Sequence, residues 1–339
     1  MTQRVTAARA TAILGSISAL FVHAAVAAAQ PQPPPPPPPG AADRVAMVTT
    51  FLRPTSTGAV LVRDVWQPRG RDGRRACEIT LQRYDAQMAP VGRAQSIYRG
   101  SPVRAGIAVK GDAVLVAMVN GSATPFVKAV FAPERGTPRT VTVARPSGGA
   151  AAARGYAPSS VVATDTPEGF TVLWQEEPAD AGGRSAVSYM VLVGPDGALR
   201  GEARGVGVPW ALGGLAWNGH GYHLAAFYDG SDRGQTRICL VTLSPAGAPE
   251  QHPWWAAAPD DPSDVQLAQG PAGMVVLYRG GADGSHVYSF VSTSIGQWGR
   301  EAEHAPELGT VAATEPVGLR LDAEGAAHIV SIPAAPRRR

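Results

Sequence analysis

Short apolar runs recur along the chain, each introduced by a tight-turn signal built on glycine and followed by a polar stretch. This alternation predicts strands rather than helices. The turn signals are Thr57-Gly58, Lys110-Gly111-Asp112, Pro167-Glu168-Gly169, Asn218-Gly219-His220-Gly221, Pro271-Ala272-Gly273 and Ala323-Glu324-Gly325. From Gly58 onward the glycine steps are 53, 58, 52, 52 and 52 residues, near the length of one four-stranded propeller blade. The run after each turn reads as a second strand, at residues 60–65, 113–119, 170–175, 222–228, 274–278 and 327–332. Third strands follow at 77–83, 126–131, 187–193, 237–243 and 287–291. Residues 44–335 carry no apolar period of helical spacing with caps, so crossover helices and a parallel sheet are not expected.

Meanders of this length cannot bury both faces alone and must pack on one another. Radial packing removes the exposed end faces, so the expected fold is all-β, a β-propeller of about six antiparallel four-stranded blades. The last unit offers only two strands, which makes the sixth blade short. The alternative is five blades, the final one completed by N-terminal strands from the region of Cys77 to Tyr98. The two cysteines, Cys77 and Cys239, stand at the same third-strand position of units one and four. Strands spaced about 4.8 Å apart put opposed blades well beyond the ~7 Å that a disulfide allows between Cα atoms, so no bridge is expected.

The ends add a compartment. Residues 1–29 read as a secretory signal peptide, with Arg4 and Arg9 ahead of an apolar stretch and Ala27-Ala28-Ala29 as a small-x-small cleavage site. Residues 30–43 are a proline-rich linker held extended by its run of prolines. Residues 44–335 form the propeller domain, and residues 336–339 a basic tail. No other segment has the 18 or so apolar residues of a membrane helix, so the mature chain is expected to be periplasmic or secreted, without a transmembrane segment. Of 30 Lys and Arg, two leave with the signal, against 27 Asp and Glu. The mature net charge is then +1, which gives no argument for a nucleic-acid partner.

The candidate chemistry is sparse. There is no Gly-x-Ser-x-Gly elbow, His-Glu-x-x-His, phosphate-cradling glycine loop or Cys-x-x-Cys, so no catalytic residue, metal or cofactor is assigned. His220 and His223 are three apart on a strand and so point to opposite faces. Loops between second and third strands and between units are the longer ones and emerge on one face, the candidate binding surface. The ligand-binding candidates are Arg71, Trp174, Glu176, Asp229, Asp232, Trp254, Trp255, Arg279 and Asp283, a set of charges with aromatic platforms suited to a glycan or peptide. Asp229, Asp232 and Asp283 lie in loops that would suit Ca²⁺, but without ordered ligand spacing.

Asp232-Arg233-Gly234-Gln235-Thr236 resembles the Asp-x-Gly-x-Thr core of the Asp-box of sialidase-like propellers. It departs from that pattern at Arg237, where the family has an aromatic residue. Asp-boxes are structural turns, so the resemblance implies turn-forming roles for Asp232, Gly234 and Thr236. Units such as Val172-Leu173-Trp174-Gln175 followed by Val191 to Gly197 resemble repeats of exported bacterial β-propeller proteins, which speaks to fold and hardly to activity. The expected function is an exported binding or scaffold module for a glycan, a peptide or an envelope protein. The alternatives are a glycan-active hydrolase or lyase at the central channel, and a purely structural envelope protein.

Overall fold

The computed structural model describes residues 47–66, 76–100, 102–120, 126–144, 156–178, 185–230, 235–250, 254–257, 262–271, 273–281, 284–292, 307–312 and 315–332. The expected signal peptide, linker and tail lie outside them. Among the described residues all the regular structure is antiparallel β.

Blade one comprises β1 (Met47–Pro54), β2 (Gly58–Trp66), β3 (Cys77–Asp85) and β4 (Pro90–Gly100). Blade two comprises β5 (Pro102–Lys110), β6 (Ala113–Asn120), β7 (Phe126–Ala132) and β8 (Arg139–Ala144). Blade three comprises β9 (Tyr156–Thr166), β10 (Gly169–Pro178), β11 (Val187–Val193) and β12 (Leu199–Val206). Blade four comprises β13 (Ala211–Trp217), β14 (Tyr222–Gly230), β15 (Gln235–Leu243) and β16 (Trp254–Ala257). Blade five comprises β17 (Ser263–Gly270), β18 (Gly273–Gly280), β19 (His286–Ser292) and β20 (Glu307–Thr310). These five sheets are simple meanders, and β21 (Val317–Leu321) pairs with β22 (Ala327–Ser331) as a two-stranded sixth sheet. The fold is a β-propeller that has, among the described residues, five four-stranded blades and one two-stranded blade. Residues 77–98 stay in β3 and β4 of blade one, so they do not complete the last blade.

The innermost strands follow one another round a ring. β1 lies against β5, β5 against β9, β9 against β13, β13 against β17, β17 against β21, and β21 against β1. Each gap between neighbouring sheets is filled by its own apolar cluster. Val62, Ile79 and Met118 join blades one and two, Phe131, Phe170 and Trp174 blades two and three, and Leu173, Met190 and Leu224 blades three and four. Ile238, Val276 and Tyr278 fill the next gap, and Leu277 and Val317 the one after it. Leu52 and Leu61 meet Val330 and Ile332 where blade six returns to blade one. The second strands are mainly apolar because both of their faces are largely covered. β6, for example, is buried from Val114 to Asn120. Cys77 and Cys239 are buried free thiols in third strands of blades one and four.

The repeat of glycines has a steric cause in three blades. A Cβ built on Gly58, Gly169 or Gly221 would stand 2.0, 2.2 or 2.3 Å from the carbonyl oxygen of Tyr84, Val193 or Leu243 respectively. That oxygen belongs to the third strand opposite, so only glycine lets the second strand begin there. Gly221→Ala should cost about 2 kcal/mol in urea unfolding, as overpacking does. Gly205→Ala, where a Cβ meets nothing within 4 Å, should change stability by less than about 0.5 kcal/mol. Equal effects at the two positions would refute the steric account.

Candidate functional site

The inner strands enclose a central cavity of about 640 Å³, a size typical of small-ligand sites. Its walls come from β1, β2, β5, β9, β13, β14, β17 and β21. Part of the lining is small and lies close to the backbone, as at Gly106, Val161 and Gly214, because the inner strands crowd at the axis. A Cβ on Gly106 would stand 2.6 Å from Cα of Val162, and one on Gly214 2.9 Å from the carbonyl oxygen of Val265. Phe51, Trp66 and Phe227 supply aromatic surface.

Against this wall stand a few polar side chains. Among the described lining residues the ionisable ones are Arg53, Asp64, Asp165 and Asp264. Arg53 Nη2 donates to Asp264 Oδ1 at 3.1 Å, so an ion pair runs from β1 to β17, past the short sixth blade between them. Its Nη1 donates to the carbonyl oxygen of Leu52 at 2.9 Å. Asp264 has φ +44°, in a bulge where β17 loses register against β18. This left-handed conformation is one that Asp tolerates better than most residues. Its second oxygen faces Gln266 Nε2 at 3.3 Å.

Asp64 is only 7% exposed, and its Oδ1 has no hydrogen-bond partner among the described residues. Burial pushes its carboxyl up to about 6, because removing water penalises the charged form. Ser160, on β9 in blade three, is 6% exposed and its hydroxyl also lacks a partner. Native proteins leave few buried polar atoms unbonded, so two on the wall of one cavity mark it as the candidate site.

The residues expected from sequence fall elsewhere. Trp174 is fully buried between blades two and three, stacked on Tyr189 with ring centroids 5.6 Å apart. Its Nε1 donates to Glu176 Oε1 at 3.2 Å, and Glu176 is itself buried on β10, not in a loop. Trp174 is thus a plug in the core and Glu176 its hydrogen-bond acceptor, with a carboxyl raised by burial. Arg279 lies on β18 and is also buried. It donates to the carbonyl oxygens of Gly284 at 2.9 Å, Ala312 at 2.9 Å and Glu315 at 2.5 Å. Its guanidinium is occupied in holding the path from blade five to blade six. Trp254 and Trp255 are in β16 at the outer edge of blade four, opposite Leu240 and Cys239, and not in a loop between units. Asp229 is in β14, opposite Thr236. Arg71, Asp232 and Asp283 lie outside the described residues. His223, in β14, is buried and bonded to Asn218, whereas His220 is exposed in the turn before that strand, so the two do not share a strand. Burial lowers the His223 imidazole to about 4. Among the described residues no group of His, Cys, Asp and Glu is placed to hold a metal ion, and no helix is long and apolar enough to cross a membrane.

Arg53, Asp64, Ser160 and Asp264 were missed by sequence reasoning. For two of them a signal existed. Asp64 shares the parity of Val60 and Val62 on β2, and Ser160 that of Val162 on β9, so each is a polar residue on a face that alternation marks as buried.

No protein-family model matches the sequence, and no curated protein matches it. Solved structures do match in fold. A Trypanosoma rangeli sialidase in complex with a difluoro-keto-deoxy-nononic acid superimposes with a TM-score of 0.48 at 10% identity, over 83% of this chain and 50% of that one. A mutant of that sialidase displaying trans-sialidase activity gives 0.50 at 10% identity, over 83% and 51%. A structure described as a glycoside hydrolase gives 0.47 at 10% identity, over 79% of this chain and 92% of that one. The chain spans about half the length of the sialidase chains it matches. At such identity the likeness is one of fold, the β-propeller.

The carboxyl of Asp64 gives a pH signature. Its folded pKa of about 6 lies above the ordinary 3.8. The folded state therefore holds a proton that the unfolded state has lost between those values, and stability falls as pH rises through that window. The cost is complete above about pH 6 and is about 3 kcal/mol at 1.36 kcal/mol per unit. Asp64→Asn should be more stable than the wild type at pH 7.5 by up to that amount, and the advantage should vanish near pH 4. Urea titrations at the two pH values test this, and an advantage independent of pH would show that burial of the charge is not the cause.

Proposed function

We propose that the protein is an exported propeller module that binds a polar, glycan-sized ligand in its central cavity. The observation that carries this reading is the pair of buried, unbonded polar groups, Asp64 and Ser160, on the wall of a cavity of about 640 Å³. A sugar offers hydroxyls to such groups and apolar ring faces to aromatic walls such as Phe51 and Trp66. The glycoside-hydrolase description of one structural neighbour and the sialic-acid complexes of others are compatible with a glycan ligand. The cavity replaces the loop face as the proposed site, since Trp174, Glu176 and Arg279 are committed to the core and to the joint between blades.

One observation favours hydrolysis as a second reading. Asp64 keeps its proton to a higher pH than an ordinary carboxyl, as a general acid must, and Asp264 offers a second carboxylate in the same cavity. Incubation of the purified full chain with a glycan array, followed by mass analysis of each retained sugar, separates the readings. Recovery of intact sugar is expected, with Ser160→Ala weakening retention at least tenfold. Cleaved sugar would establish the hydrolase, and failure to retain any glycan would overturn both.

Export belongs to the same proposal: residues 1–29 as a signal, residues 30–43 as the spacer, and a periplasmic or secreted domain. Mass spectrometry of the protein recovered from the envelope or medium should find Gln30 at the N-terminus. An intact Met1 in that material would remove the signal-peptide reading.

A further inference from the structure

The charges on the cavity wall narrow the chemistry of the ligand. Arg53 is the cation among the described lining residues, and its guanidinium is already bonded to Asp264 and to the carbonyl oxygen of Leu52. That pair is internally neutral. Asp64 and Asp165 remain, so the wall carries net negative charge. A further cation, Lys110, acts on Asp165. Its Nζ, however, donates to the carbonyl oxygens of Thr166 and, at 2.6 Å, Pro167, in the turn of blade three. Among the described lining residues no cation is thus free to receive an acidic sugar unless Arg53 leaves Asp264.

Asp64 presents the opposite situation. A carboxylate more than nine-tenths buried, with one oxygen unbonded among the described residues, is costly. A ligand that brings a positive charge to the wall that Asp64 lines offsets the cost of the buried carboxylate, and charge-assisted contacts are the strong ones. The neighbouring aromatic surface of Phe51 and Trp66 attracts a cation as well. Ser160, across the cavity on blade three, can accept from or donate to a hydroxyl of the same ligand.

We infer that the ligand is an amine-bearing glycan, a sugar with a free, protonated amino group, and that Asp64 is the residue that receives its ammonium. This rests on the central cavity being the binding site. A ring amino group on a polar sugar satisfies the wall in a way that its N-acetylated form, which is neutral, and a carboxylated sugar, which is repelled, do not.

Titration calorimetry on the full chain at pH 6.5 tests the inference with four probes: a glucosamine tetrasaccharide, its fully N-acetylated counterpart, cellotetraose and sialyllactose. The free amine should bind at least tenfold more tightly than the N-acetylated sugar, and the difference should shrink as salt is raised. Asp64→Asn should reduce the preference to within about threefold, with a thermal unfolding scan confirming that the variant is folded. If the N-acetylated or neutral sugars bind as tightly as the amine, or sialyllactose binds more tightly, the amine inference falls while the glycan-binding reading stands. If none of the four binds, both fall. If the amine preference survives unaltered in Asp64→Asn, the residue assigned to the ammonium is wrong and the inference is overturned.

Discussion

A ring of strands has to meet itself, and here the meeting is made by a sheet of two strands where the other five blades have four. Five joints are filled by sizeable apolar clusters, while the joint between blade six and blade one rests on Leu52, Ala59 and Leu61 with a few half-buried neighbours. With less apolar area to bury, the closure depends on polar side chains that reach across it. Gln266 donates to the carbonyl oxygen of Val317 and accepts from the amide of Leu319, each at 2.9 Å, stitching blade five to blade six. Arg320 donates to the carbonyl oxygen of Gly58 at 2.7 Å, stitching blade six to blade one. Arg279 and the Arg53–Asp264 pair complete the set. Buried donors on carbonyl oxygens are directional as well as attractive, so they set the position of a blade too small to be placed by packing alone.

The same device recurs in weaker form around the tight-turn side. Arg83 reaches the carbonyl oxygens of Asp112 and Pro133, Lys110 those of Thr166 and Pro167, and Arg204 that of Pro245. Each long cation spans one joint between neighbouring blades. Arg83, Lys110 and Arg204 thus work as ties between repeats. Closure and the cavity are linked through Asp264. Its bulge and left-handed backbone turn the carboxylate toward Arg53, which neutralises the cavity's arginine and leaves the wall acidic. The local geometry that shuts the ring therefore also decides which charges the cavity presents.

Much of the fold could be read before any coordinates. Gly169 and Gly221 mark where a second strand passes the end of a third, and their spacing exposed the repeat because a steric requirement of each blade recurs with it. The strand at residues 113–119 was legible because it is buried on both sides and so apolar without interruption. The candidate site was not legible in the same way. Arg279 and Glu176 look like loop charges, since a charged residue at the end of a strand usually faces water. The strand instead continues, and the side chain turns inward to backbone carbonyls or to a tryptophan. Asp64 left a trace, a carboxylate on the parity of valines, but the pattern alone does not distinguish a core position from one on a cavity wall.

What the sequence determined by itself is therefore local and periodic: strand identity, antiparallel order, the unit length and the shortness of the last unit. These follow from backbone sterics and from the period-two alternation of side chains, which act over a few residues. Only the tertiary structure decided that blade six closes the ring, that Arg53 and Asp264, 211 positions apart, form one ion pair, and that Asp64 and Ser160 face one cavity. Those facts depend on the radial placement of blades, which no short-range pattern encodes.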